Sequence, residues 1–422
     1  MGDEVSSYNV LERGIARLLG YFPAAKKFSK FSYSHLMYLI YKKSFKHQSI
    51  ADPVAYTPNQ QSSFFGYYDK APESSKGVIL AQIFANSTHK KPSAQKGIEL
   101  VVFDKQKKPL LHIPICAYNW QQGCRAHWLS NDLFIFNDFN HSKNSYVARV
   151  YSLATQQQVK TFDHPVQDSF KTDYFISLNY RRLMALRPDY GYRNLPSLEK
   201  EQLSDLQNDG LWRIEYATGE AKLLISLADA CKVNPHPEFE NATHKFNHVM
   251  ISPDGTQFIF LHRYLLGKRR VDRLMLADSK TGVLKLLSDY GMVSHCFWAD
   301  DKIILAYMRG PENKDAYWLL DITTKTFTHF PYLESYGDGH PHVHGDWFVT
   351  DTYPDKARMQ HLLLANWKTS EVKKLGEFFH GFEFNGETRC DLHPRFSPDG
   401  KTVYFDSVFS GKRQLYAMGI DY

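Results

Sequence analysis

Ser252-Pro253-Asp254-Gly255 returns as Ser397-Pro398-Asp399-Gly400, and each copy leads into an apolar run, Gln257-Phe258-Ile259-Phe260-Leu261 and Thr402-Val403-Tyr404-Phe405. Pro presets φ and Gly supplies a positive φ, so each tetrapeptide is a corner feeding a strand. The separation of the copies fits three units of about 48 residues, within the length of a propeller blade. A second marker, Asp-x-x-Thr, occurs at Asp278-Ser279-Lys280-Thr281-Gly282 and at Asp321-Ile322-Thr323-Thr324-Lys325, with weaker versions near Asp104, Leu153, Tyr216 and Asn366. Residues 51–422 divide into seven units of about 53 residues, an all-β seven-bladed β-propeller, with six or eight blades as alternatives. Residues 1–50 form a short α-helical, basic N-terminal extension. Asn194–Asp209, rich in Leu, Glu, Lys, Ser and Asp, reads as a helical insertion between strands.

Composition narrows the function classes. The chain has 422 residues, 43% hydrophobic and 23% charged, so it buries a core and is neither disordered nor collagen-like. Aromatic residues reach 15%, which favours strands and suits surfaces that stack on sugars. The formal charge is +6, of which +5 falls in residues 1–50, so the main body lacks the basic stripe of a nucleic-acid binder. Five cysteines, an odd and sparse set, argue against a disulfide framework and for a reducing compartment. No signal-peptide order of parts is evident, and the apolar run Leu36–Tyr41 is far below the roughly 20 residues needed to span a bilayer. The expected location is cytoplasmic, or peripheral to the inner membrane.

Within the extension, Leu11, Ile15, Leu18 and Leu19 recur at helical spacing, and Leu36, Tyr38, Leu39 and Ile40 form a second cluster among lysines. Two readings stand side by side: a helical cap on the main domain, and a basic amphipathic segment resting on an anionic membrane.

Aligning blades on the corner places His248 four residues before Ser252 and His393 four before Ser397. His295 and His340 take the same place before the shortened corners Ala299-Asp300-Asp301 and His344-Gly345-Asp346. In a propeller such positions converge on the axis. Earlier blades align loosely: Tyr67 and Asp173 fall near the place, and Arg125 and His127 flank it, either being brought into register by a one-residue bulge. One such histidine is ordinarily a satisfied structural residue, but neutral imidazoles from successive blades make a divalent-metal site. Cys390 adds a thiolate of the kind zinc favours. The expected ligands are His295, His340, Cys390 and His393, with His248, His342 and His344 competing, and zinc preferred over manganese or calcium.

Cations and phenols accompany them in His262-Arg263-Tyr264, Lys268-Arg269-Arg270, Arg181-Arg182 and Arg187-Pro188-Asp189-Tyr190-Gly191-Tyr192-Arg193. A solvated rim would look like this. So would a site for a polyanionic sugar, in which guanidinium holds carboxylate and an aromatic ring stacks on the pyranose.

Asn247-His248-Val249-Met250-Ile251-Ser252-Pro253-Asp254-Gly255 with His262-Arg263, then Val293-Ser294-His295 and Cys390-Asp391-Leu392-His393-Pro394-Arg395, resemble the seven-bladed polysaccharide lyases, a group that includes the oligogalacturonate and ulvan lyases. Similar propellers accompany bacterial surface-polysaccharide genes. The resemblance covers roughly residues 55–420 and implies β-elimination on a uronate-containing polysaccharide or oligosaccharide: Arg263 neutralises the C6 carboxylate, His248 is base or substrate contact, Tyr190 or Tyr192 is proton donor, and Arg187 binds the adjoining sugar. Arg125, His127, His262, Arg182 and Asn247 are further expected substrate contacts. The oligogalacturonate enzymes hold their metal through histidines and a glutamine, where this chain offers a Cys/His set. The alternative is a non-catalytic propeller binding glycan or protein in polysaccharide assembly. A glycoside hydrolase needs paired carboxylates, and only Asp173 aligns with the ring positions.

Overall fold

The computed structural model describes residues 23–57 and 61–422. The helical pattern at Leu11–Leu19 lies outside the described residues. Seven antiparallel sheets follow one another along the chain, six of four strands and one of five, which is a seven-bladed β-propeller. The innermost strands of blades 1 to 7 begin at Ser62, His127, Asp168, Thr243, Val293, His342 and Arg395.

Local hydrogen bonds explain why the corner sequences recur. Asp254 Oδ1 accepts from the Ser252 hydroxyl at 2.6 Å and the Thr256 N–H at 2.9 Å, and Asp399 Oδ1 accepts likewise from Ser397 and the Lys401 N–H at 2.6 and 3.1 Å. Gly255 and Gly400 both sit at φ +75°, which a side chain would strain. The Asp-x-x-Thr turns close the same way: Asp278 Oδ1 accepts the Thr281 N–H at 2.7 Å and Asp321 Oδ1 the Thr324 N–H at 3.0 Å. Asp104 and Asn366 cap equivalent turns in blades 1 and 6.

Neighbouring blades are latched by side chains on their second strands. Gln82 accepts the Cys124 N–H at 2.8 Å, Asn137 the Val166 N–H at 2.6 Å, Asp351 the His393 N–H at 3.0 Å, and Asp406 the Phe65 and Gly66 N–H groups at 2.9 and 3.1 Å. Each latch satisfies buried backbone donors that no ladder reaches.

The ring closes by sharing a strand. Blade 7 contributes three strands in sequence, and its outermost is Val54–Ala55, paired with Gln414–Gly419. His47–Ser49 is added outside Val372–Phe379 as the fifth strand of blade 6. The helix Pro23–Tyr41 precedes these strands. Between the second and third strands of blade 3 the chain makes an excursion with helices Tyr180–Leu186 and Lys200–Ser204. That excursion carries the Arg/Tyr loop toward the axis.

Candidate functional site

His248 and His393 stand at φ +54° and +43°, and Arg125 at +57°. The shared left-handed backbone identifies Arg125 as the position in blade 2 that corresponds to the two histidines. At Arg125 and His393 it falls two residues before the innermost strand, and at His248 it falls in the break of register between Asn247 and Met250 within the strand Thr243–Ile251.

The four aligned imidazoles meet. Ring centroids are 5.6 Å apart for His248 and His295, 4.0 Å for His295 and His340, and 4.3 Å for His340 and His393. Tyr67 closes the circuit, 5.0 Å from His393 and 5.4 Å from His248, with its hydroxyl 2.8 Å from His248 Nδ1. His248 is 8% exposed, His295 4%, and His340 and His393 2% each.

Each ring is oriented by a partner on its Nδ1 side. His295 faces Asp338 Oδ1 at 3.2 Å, His340 faces Asp351 Oδ1 at 2.7 Å, and His393 donates to the Gly66 carbonyl at 2.9 Å. His393 Nε2 is buried with no hydrogen-bond partner. Donor atoms of His340, Asp391 and His393 lie within 4.8 Å of one another. Asp391 is in turn gripped by Arg389, Nε to Oδ1 at 2.7 Å.

The electrostatics favour three neutral imidazoles, those of His248, His295 and His393, beside an ionised carboxylate. Burial, helped by neighbouring cations and histidines, pushes His248 and His393 well below the usual range and His295 down to about 4. Burial opposes protonation of His340 as well, but the Asp351 carboxylate outweighs it and raises the pKa. Burial likewise works against ionisation of Asp391, yet Arg389 and the adjacent histidines hold it far below the carboxylate range. Asp338 is lowered too, so neither axial aspartate has the raised pKa of a glycosidase's acid.

Cys390 does not join the cluster. Its side chain packs with Phe384 and Val408, its Sγ is 3.9 Å from the Asp391 carbonyl, and burial pushes the thiol up to about 12. The carboxylate next door takes its place. Of the competing ligands, His342 is turned to the Tyr68 carbonyl at 2.6 Å and His344 packs on Phe396, its ring 5.6 Å away.

Of the expected catalytic residues, Tyr190 is at the axis, its ring 5.7 Å from His248 and its hydroxyl 3.5 Å from that of Tyr67. The Arg187 guanidinium covers the Tyr190 ring at 5.1 Å and pairs with Asp189. Arg263 is buried beside Asp272 at 2.9 Å and donates to the Val293 carbonyl at 2.9 Å. Tyr192 is elsewhere: it stacks on Tyr180 at 4.4 Å and accepts from Asn137 at 2.9 Å.

Most of the expected sugar contacts are buried and bonded within the protein. Arg125 holds Asp69 with two 2.8 Å bonds and also binds the Gln167 carbonyl. His127 is satisfied by the Arg125 carbonyl at 2.8 Å and Ser169 at 2.6 Å. Arg182 pairs with Asp209 at 2.5 Å and caps the carbonyls of Leu203, His244, Gln202 and Asp205. His262 lies on the opposite face of blade 4, 2.9 Å from His244 and beside Cys231 and Arg273. Asn247 is buried and both its amide atoms lack partners. Asp173 is exposed at a turn.

Asp338, Asp351, Asp391, Arg389, Lys245 and Tyr353 are at or beside the site and were not expected there. Asp338-Gly339-His340 and Asp391-Leu392-His393 repeat an Asp-x-His spacing that was open to reading.

No protein-family model and no curated protein matches the chain. Among solved structures, an oligogalacturonate lyase in complex with manganese is similar at TM-score 0.58 and 14% identity, covering 90% of this chain and 95% of that one. An oligogalacturonate lyase from Vibrio parahaemolyticus gives TM-score 0.58 and 14% identity, covering 90% and 98%. The propeller domain of the Trilobed protease from Pyrococcus furiosus is more distant, at TM-score 0.47 and 8% identity, covering 89% and 97%. At these identities the likeness shows the fold.

Proposed function

We propose that the chain is a lyase that cleaves a uronate-containing polysaccharide or oligosaccharide by β-elimination. The observation that carries this reading is the meeting of four buried imidazoles, three of them held neutral, with Arg263, Arg187 and Tyr190 around one axis. The overall likeness to oligogalacturonate lyases supports it.

β-Elimination needs the carboxylate neutralised, H5 removed and O4 protonated. Arg263 and Arg187 flank His248 from blade 4 and the blade 3 excursion and bind the carboxylate. His248, neutral and oriented by the Tyr67 hydroxyl, accepts H5. The electron pair forms the C4–C5 double bond, the C4–O4 bond breaks, and Tyr190 gives its proton to the departing oxygen.

The orphaned Nε2 of His393 and the ionised Asp391 fit a divalent ion, held by His340, Asp391 and His393. A carboxylate in place of the expected thiolate moves the donor set from zinc's preference toward manganese's, the ion bound in the similar oligogalacturonate lyase. When bound, it supplies Lewis-acid neutralisation of the carboxylate. Asp351 orients His340 and Arg389 holds Asp391 in place.

The test is incubation with uronate polymers while following the ultraviolet absorbance of the unsaturated product. Signal that disappears in Arg263→Ala supports the lyase. Absence of product with every uronate polymer, from folded and metal-loaded protein, overturns it. A second reading, a glycan-binding propeller, is favoured by one observation: His248 is 8% exposed and Arg263 only 3%. A ligand confined to the rim of Arg187, Tyr353 and Arg389 would bind without producing the chromophore.

A further inference from the structure

We propose that the helix Pro23–Tyr41 and the basic turn after it seat the propeller on an anionic lipid surface. The helix is fixed to blade 6 by one side. His35 stacks on Phe382 at 3.9 Å, and Tyr38 lies 5.7 Å from Phe379 and edge-on to Phe382 at 5.5 Å. Just beyond it, His47–Ser49 pairs in register with Gly376–Phe378, and Lys46 covers the Phe379 ring at 3.7 Å. The orientation of the helix on the body is therefore set by aromatic packing and by a strand.

The other side is apolar and faces water. Leu36 is 54% exposed, Leu39 63% and Ile40 61%. At spacings i, i+3 and i+4 these three share one stripe. Exposed large hydrophobic residues elsewhere among the described residues are scattered around the blades, but Phe31, Leu36, Leu39, Ile40 and Tyr41 fall within eleven consecutive positions. Scattered ones need no explanation, whereas a contiguous patch marks a surface that something covers.

Charge says what covers it. In sequence the stripe is preceded by Lys26, Lys27 and Lys30 and followed directly by the exposed Lys42 and Lys43. Residues 1–50 carry eight Lys and Arg against three acids, while the rest of the chain is nearly balanced. An apolar stripe framed by cations matches the boundary between acyl chains and anionic headgroups. Among the described residues no helix is long and apolar enough to cross a membrane, so the helix lies in the plane of the surface. The fixed side of the helix then holds blade 6 against the bilayer.

The experiment is co-sedimentation of the full chain with vesicles of equal parts phosphatidylglycerol and phosphatidylcholine, and with phosphatidylcholine alone. Sedimentation with the anionic vesicles is expected, weakened by high salt and reduced roughly tenfold or more in Leu36→Glu/Leu39→Glu. That variant leaves the thermal midpoint unchanged, because both side chains point to solvent. Val159→Glu, at an exposed position on blade 2, serves as the control and binds as the wild type does. Failure to sediment with the anionic vesicles overturns the proposal, as does undiminished sedimentation of the double variant. A dimer in analytical ultracentrifugation that dissociates in the double variant assigns the stripe to a second copy of the chain and also overturns it.

Discussion

Oδ1 of Asp351 lies 2.7 Å from Nδ1 of His340, with both side chains almost wholly buried, and Oδ2 of the same carboxylate receives the backbone N–H of His393. One aspartate on the second strand of blade 6 thus orients one proposed ligand and positions the backbone of another in blade 7. Asp351→Asn is expected to lower divalent-metal affinity about 10–100-fold while leaving a folded propeller. Metal titration of dialysed protein with circular dichroism as the folding control checks this. An unchanged affinity would remove Asp351 from the metal's surroundings.

Cys390 and Asp391 separate two donor sets that differ by one residue. Wild-type protein is expected to bind a divalent ion stoichiometrically, Asp391→Asn and His393→Ala to lose it, and Cys390→Ser to keep it. The serine variant instead loses stability, about 1–3 kcal/mol, for placing a hydroxyl among Phe384 and Val408. Metal content by mass spectrometry and denaturant midpoints together read both effects. Loss of the ion on Cys390→Ser would restore the thiolate to the site.

Tyr190 and Tyr192 are two positions apart and have different neighbours. Tyr190→Phe is expected to cut the rate of unsaturated-product formation about 10²–10⁴-fold. Tyr192→Phe leaves turnover intact and lowers stability by about 1 kcal/mol, the worth of its bond to Asn137. Equal effects of the two on turnover would contradict the placement of Tyr190 as proton donor.

Lys245 faces Arg263 directly across a strand pair and donates to the Leu186 carbonyl at 3.3 Å. Burial, then Arg263, Arg187 and Arg270, bring its pKa down to about 7. Above that value the folded chain has released a proton that the unfolded chain keeps until its ordinary lysine pKa near 10.5. Stability therefore rises with pH across this window, by up to about 1.4 kcal/mol per pH unit, and the contribution is lost as pH falls through about 7. Denaturant midpoints measured between about pH 7 and pH 9.5 should show this slope. Lys245→Met should flatten it, and a slope unchanged by the substitution would contradict the assignment.

Arg125 and Asp69 form a buried pair with side chains 1% and 3% exposed. Arg125→Ala leaves that carboxylate uncompensated and is expected to cost about 3–5 kcal/mol of stability. Its thermal midpoint should fall while the affinity of the folded fraction for uronate oligomers holds. A selective loss of affinity without a fall in midpoint would return Arg125 to the sugar.

How much of this was legible depends on how local the cause is. The Ser252 and Ser397 corners are made by hydrogen bonds spanning five residues, so their sequence states their shape, and four residues upstream a histidine necessarily falls at the same level of each blade. The direction of Cys390 was not legible, because the segment before Arg395 is irregular and a spacing of three residues fixes no face there. The choice between Tyr190 and Tyr192 was hidden in an excursion whose path is set by Arg182 binding carbonyls up to 62 residues away. Arg125 stands as an expected sugar contact because it flanks the ring position in sequence, and nothing local to it announces that its partner is Asp69, 56 residues away. The strand Val54–Ala55 could not be assigned to blade 7 from its neighbours in sequence, since its partner is Gln414–Gly419.

That borrowed strand sets an order of events. Val54–Ala55 is synthesised well before its partner Gln414–Gly419 and must wait for it unpaired, so until closure the blades form an open arc whose two raw edges can find each other or a neighbouring molecule. Closure is a long-range encounter and a slow one. A cut between Tyr41 and His47 would part the helix from the strand His47–Ser49 yet leave the ring locked, whereas deleting Val54–Ala55 would expose the edge of Gln414–Gly419 and invite chains to join end to end.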